Sequence, residues 1–205
     1  MNRHRQRARE QFPSVLLGVL GIIQALALEL LWDRAVAGIG RWRAIDAELS
    51  GWLQVSSVFL GIVVVWVMYV ILVLRYEWVP RFFDLSFPFV LGLLEFLLVE
   101  VCAPERIAVY FVLLAGIFVV SAGNTFWIYR AMFAAGDAAR VPLGRQLAGY
   151  VPAALATGAL LVCGGLAAET GPASVVTRLC LLAANAGLLL QLYTFRHFWQ
   201  ADLAR

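Results

Sequence analysis

The sequence predicts an all-α integral membrane protein, a helical bundle of about six transmembrane helices with both chain ends in the cytoplasm. Three observations carry that expectation. Hydrophobic residues fill 62% of the 205 positions and charged residues only 14%, whereas an ordinary soluble domain is about 25% charged. The mean hydropathy is +0.84, and the apolar residues gather in runs of roughly 20, the length that crosses about 30 Å of hydrocarbon as a helix. The arginines, finally, sort to one side of those runs.

Six spans follow, at 12–32, 52–74, 85–102, 107–129, 147–167 and 174–195, within a single transmembrane domain over residues 1–205. A basic tail at 1–11 precedes the first, which is expected to remain as a helix because an apolar run of full spanning length is too long for a cleaved signal. The second and fourth runs are the most uniformly apolar. The third is the shortest, since Pro88 near its start leaves about 16 good helical residues, or roughly 24 Å. It either crosses with little tilt, thins the bilayer, or dips in and returns.

Orientation follows from the arginines, because positive charges beside helix ends are retained in the cytoplasm. With the N-terminus inside, the inner side receives Arg3, Arg5, Arg7, Arg9, Arg75, Arg81, Arg130, Arg140, Arg145, Arg196 and Arg205. The outer side receives Arg34, Arg41, Arg43 and Arg106, with Arg178 just inside the last span. An odd number of spans would spoil this separation. Aromatic residues mark the same boundaries, as Trp and Tyr prefer the headgroup level: Tyr76 and Trp78, Trp127 and Tyr129, and Tyr193 through Trp199 lie inside, Trp32 and Trp52 outside. Such a pattern points to the cytoplasmic membrane of a bacterium.

Between the spans, the longest outer connection, 33–51, mixes Trp42, Ile45 and Leu49 with Arg41, Arg43, Asp46 and Glu48. It is expected to form a short amphipathic helix lying on the outer surface. The inner loop 130–145 carries Gly136, Asp137 and Pro142 as turn and breaker residues. No loop is long enough for a second folded domain, and no internal repeat suggests two inverted halves of a transporter.

Candidate functional residues are the polar groups stranded in the apolar runs. Glu95 comes first, near the middle of the third span, where an ionised side chain costs about 2.5–3.5 kcal/mol. By spacing, Pro88, Gly92 and Glu95 share one helical face, which allows a narrow polar groove and a proton or cation site; a glutamic acid hydrogen-bonded to a neighbouring helix is the structural counterpart. Glu29, Glu100 and Arg178 are expected in the outer third of their spans, where they either converge on a vestibule or snorkel separately into water. Asn185, seven residues after Arg178, extends that face toward the midplane. Asn124, Asn185 and Gln24 are amides suited to gluing helices together. Small residues at four-residue spacing, Ala154 with Gly158 and Ala183 with Gly187, permit close approach of helices within the chain or between copies.

Catalytic and cofactor constellations are not expected. The chain has no lysine, which excludes Schiff-base chemistry, and only His4 and His197 as histidines, which excludes a bis-histidine haem within the bilayer. No CxxC, HExxH, GxSxG or nucleotide-cradling glycine loop occurs, so neither an enzyme nor a metal protein is the expectation. Cys102, Cys163 and Cys180 all fall toward the outer side, and Cys163 and Cys180 flank one turn at similar depth, as a disulfide or as neighbouring small side chains. The expected surroundings are the lipid bilayer and further copies of the chain; the arginines form no stripe suited to nucleic acid. Arg3, Arg5, Arg7 and Arg9 with Arg140 and Arg145 offer a contact for anionic lipid or a cytosolic protein. Two functions lead: a small oligomeric channel or transporter for an ion or small solute, and a membrane-embedded sensor or anchoring subunit for a cytosolic partner; an intramembrane enzyme ranks behind both.

Overall fold

A computed structural model describes residues 3–75, 82–134 and 143–203. Six long helices occupy them: α1 (Arg3–Ala44), α2 (Glu48–Arg75), α3 (Phe82–Glu100), α4 (Ile107–Ala134), α5 (Leu143–Thr170) and α6 (Val175–Leu203), with a single 3-10 turn at Pro104–Arg106 leading into α4. There is no strand among the described residues. Helices dominate because lipid offers backbone N–H and C=O groups no partner, so each must be satisfied within its own segment.

Among the described residues, five helices, all but α3, hold a stretch long and apolar enough to cross a membrane. The third, 19 residues long with Pro88 inside, measures about 28 Å at 1.5 Å per residue, close to the hydrocarbon thickness. It carries Asp84, Glu95 and Glu100 among mostly apolar residues. It nonetheless continues past Pro88 as one helix and does not turn back.

The helices close into a ring in the order α1, α3, α4, α5, α6, α2, each packed on its neighbours. Parallel packing of α1 and α3 follows from two contacts: Ile23 meets Gly92, and Arg34 pairs with Glu100, so residue numbers rise together along both. The apolar core combines Leu20, Ala27 and Leu31 of α1, Val58, Ile62 and Val65 of α2, Leu91 and Leu98 of α3, and Tyr110, Phe111 and Leu114 of α4. In α2 and α4, 39% of the apolar stretch is buried, against 17% in α5 and 22% in α6. The first pair therefore forms the centre, and the second presents most of its surface outward.

The expected surface helix over 33–51 does not form as a separate element; α1 runs unbroken to Ala44. Small and apolar residues continue on its buried side through Leu31, Ala35, Gly38 and Trp42, so this stretch packs instead of lying on a surface. Trp42 is 1% exposed and presses against Gly38 and Gly51, where a β-carbon would collide with its indole. Trp52 meets it edge-on at 6.0 Å.

The turn that follows is tight. Asp46 takes a left-handed φ of 52°, the N–H of Ala47 donates to the Trp42 carbonyl at 2.8 Å and that of Asp46 to Arg43 at 3.2 Å. This pair of bonds is the Schellman closure, with an aspartate at the position glycine usually fills. Between α5 and α6, Gly171 (φ 82°) plays the glycine role, donating to the Ala167 carbonyl at 3.0 Å. Ser174 then caps α6, accepting from the Thr177 N–H at 3.1 Å.

All three described connections lie at one end of the bundle, tied by Ser50 Oγ donating to the Pro172 carbonyl at 2.7 Å and Gln54 Nε2 to the Ala103 carbonyl at 3.5 Å. This agrees with an up-and-down path whose outer turns face together. The inner connections 76–81 and 135–142, with Tyr76, Trp78, Arg81 and Arg140, lie outside the described residues. Trp42→Ala removes a fully buried indole and is expected to destabilise the fold by about 3–5 kcal/mol, read as a lower denaturation midpoint in detergent micelles.

Candidate functional site

Buried polar groups form three tiers along α2, and its position at the bundle centre explains why. The outer tier gathers Gln54, Ser57 and Tyr110, all fully buried. Ser57 hydrogen-bonds Tyr110 directly across the ring between α2 and α4, and also donates back toward the Leu53 carbonyl, 2.9 Å away. The Gln54 amide nitrogen reaches Ala103, while its amide oxygen has no hydrogen-bond partner.

The inner tier joins the same two helices. Asn124 Nδ2 donates to the Tyr69 hydroxyl at 3.0 Å, so α2 and α4 are bridged at both ends by a tyrosine. Between these tiers lie about 12 residues of α2, or roughly 18 Å at helical rise, lined by Val58, Ile62, Val65, Leu114 and Ile117.

Glu95 sits at the level of this apolar stretch, at the junction of α1, α2 and α3. It is 2% exposed, and neither carboxyl oxygen has a hydrogen-bond partner. Gln24 of α1 lies close enough to interact with it, but the Gln24 amide nitrogen donates to the Ile62 carbonyl at 3.2 Å. Pro88, Gly92 and Glu95 are all buried, as a shared face requires. The polar groove expected beside them is not there: the Ile23 side chain lies against Gly92 so tightly that a β-carbon would collide with it. Glu95 is thus enclosed by packing.

The other expected residues are placed differently from one another. Glu100, Glu29 and Arg178 do not meet in one vestibule. Glu100 pairs with Arg34 in an exposed ion pair. Glu29 stands on the outward face of α1 beside Leu26 and Trp32. Arg178 donates to the Asp46 carbonyl at 2.8 Å and lies 3.7 Å from its carboxylate, which ties the start of α6 to the α1–α2 turn. Asn185 is fully engaged: its Nδ2 donates to the carbonyls of Leu53 at 3.0 Å and Leu181 at 2.8 Å, and Ser56 Oγ donates to its Oδ1 at 2.8 Å. It fastens α6 to α2 and extends no lane.

Arg3, Arg5, Arg7 and Arg9 lie on α1 and Arg145 on α5, with side chains outside the description, and Arg140 lies outside the described residues altogether. Cys163 and Cys180 are free thiols, near enough to interact but not bonded. Among the described residues no three metal-ligating side chains cluster. At the outer end, a cleft of about 290 Å³ is lined by Arg34, Arg41, Glu100, Cys102, Ala103, Glu105 and Arg106. Its floor residue Ala103 is the one Gln54 holds from below.

The tyrosines and Gln54 were not among the residues expected to matter. A signal for Gln54 and Ser57 existed, two polar residues three apart in a strongly apolar run. Tyr69 and Tyr110 look like ordinary interfacial aromatics until their helices are known to face each other. Comparison with protein families, curated proteins and solved structures finds no match to this chain, so its chemistry rests on these side chains.

Hydrogen bonds between membrane helices average about 0.6 kcal/mol, with a maximum near 1.7. Asn185→Ala, which breaks three bonds, is expected to cost more stability than Asn124→Ala, which breaks the one to Tyr69. Unfolding of both variants in mixed micelles, compared with the parent chain, measures the order.

Proposed function

We propose that this membrane protein is a small channel or transporter for protons or other small cations, with Glu95 as the group that binds them. The single observation that carries the reading is the Glu95 carboxyl, buried at mid-bundle with both oxygens unpartnered. An ionised carboxylate at such depth costs about 2.5–3.5 kcal/mol by insertion scales. Gln24, Gln54, Ser57, Asn124 and Asn185 each have at least one partner within the protein, so Glu95, with none, departs from the bundle's own pattern. A binding role for a proton or cation gives the departure a use.

The tiers above and below give the reading a route. Gln54, Ser57 and Tyr110 stand on the outer side of Glu95, Tyr69 and Asn124 on the inner side. Ile62, whose carbonyl takes the Gln24 hydrogen bond, lies on α2 between them. From Ser57 to Ile62 is about 7.5 Å along the helix and from Ile62 to Tyr69 about 10.5 Å, so passage requires the apolar packing between tiers to open. The arginine distribution supports a bacterial cytoplasmic membrane with both ends inside. The outward-facing small residues Ala154, Gly158, Ala183 and Gly187 support assembly of several copies.

In liposomes, the reconstituted chain is expected to carry protons or alkali cations down an imposed gradient. Glu95→Gln should reduce that flux by on the order of a hundredfold, equivalent to about 2.7 kcal/mol, while Glu95→Asp retains part of it. Flux unchanged in Glu95→Gln, or a parent chain silent to protons and alkali cations alike, overturns the proposal.

A further inference from the structure

The arginines on the outer side need an explanation that topology does not give, because the rule that holds Arg3 to Arg9 inside works against every one of them. Three are accounted for by ion pairs. Arg34 is held by Glu100, Arg43 binds Glu48 through two nitrogens at 3.0 and 3.1 Å, and Arg178 is anchored on Asp46. Two are left, Arg41 and Arg106, neither with an ion-pair partner among the described residues.

These two converge. Both line the outer cleft of about 290 Å³, Arg41 from the last turns of α1 and Arg106 from the 3-10 turn before α4. Arg34, seven residues before Arg41 and so on the same face of α1, lines it too. The lining holds three guanidinium groups against two carboxylates, Glu100 and Glu105, and Glu100 is already taken by Arg34. The cleft therefore keeps an excess of positive charge, in a concave place formed by two separate segments.

We propose that this cleft is a binding site for a phosphate-type anionic group, held by Arg41 and Arg106 with Arg34 beside them. Planar guanidinium groups present paired N–H donors that match the oxygens of phosphate, which is why arginine serves such sites better than a point charge would. The cleft stands at the outer end of the bundle, at headgroup level, so the same chemistry comes from two sources: a free phosphate or the headgroup of an anionic lipid. It is independent of Glu95, which lies deeper at the α1–α2–α3 junction.

The test uses the full chain in phosphatidylcholine nanodiscs, with the thermal midpoint read against added inorganic phosphate and, separately, against phosphatidylglycerol mixed into the bilayer. Potassium chloride at matched ionic strength is the control. Phosphate is expected to raise the midpoint, with apparent affinity on the order of tenfold weaker in Arg41→Gln and in Arg106→Gln, as loss of one charged hydrogen-bond partner implies. Arg43→Gln, outside the cleft, should respond like the parent. A midpoint raised only by phosphatidylglycerol, and not in the Arg41→Gln, Arg106→Gln double variant, assigns the site to a lipid headgroup. No rise with either probe, a rise that chloride reproduces, or an equal rise in the double variant overturns the proposal. Both side chains are exposed, so the variants are expected to fold, and their midpoints without added anion verify it.

Discussion

Every polar group that the bilayer encloses must find its hydrogen-bonding partner inside the protein, and this constraint organises the whole bundle. It selects helices for the backbone. For side chains it draws Ser57 to Tyr110, Tyr69 to Asn124, and Asn185 to Ser56 and two backbone carbonyls. These bonds define which helices face one another. With no hydrophobic force between helices in lipid, packing and such bonds supply the cohesion. The Gln54 amide oxygen goes unmatched beside a bonded nitrogen, and Glu95 stands apart because neither of its oxygens is matched.

The same constraint explains the division of labour among helices. The central pair, α2 and α4, carries the buried Gln54, Ser57 and Asn124 and the larger share of buried surface, whereas α5 and α6 offer mostly leucine, valine and alanine outward. In α6 the buried residues reduce to a stripe of Thr177, Leu181, Asn185 and Leu188 that meets α2. At the outer end the rules change, since water is available. There exposed ion pairs, Schellman closure and a serine cap secure the turns, and Arg41 and Arg106 have no ion-pair partner among the described residues.

The helical class and the positions of the spans were legible because roughly 20 apolar residues in succession have one common solution in a bilayer. Position 95 was legible for the same reason, as an acid in such a run has few harmless locations. The stretch from Asp33 to Ala44 was misleading. Its charged residues resemble a surface helix, yet the buried positions Ala35, Gly38 and Trp42 keep it packed on the start of α2. Its stop signal is Asp46 in a left-handed conformation, with neither glycine nor proline to announce it. The partners of Arg178 and Glu100 were hidden because ring order is set by packing between helices far apart in sequence. Span boundaries alone do not reveal it.

The weight placed on Glu95 depends on α3 lying in hydrocarbon, although it is the shortest of the six long helices. Spin labels at Leu93 and Leu97, both on the exposed side of α3, report this directly in lipid nanodiscs through collisions with dissolved oxygen and with a water-soluble nickel complex. Oxygen should dominate at both positions. Dominance of the nickel complex would place α3 in water, remove the cost of holding an acid at position 95, and contradict the account.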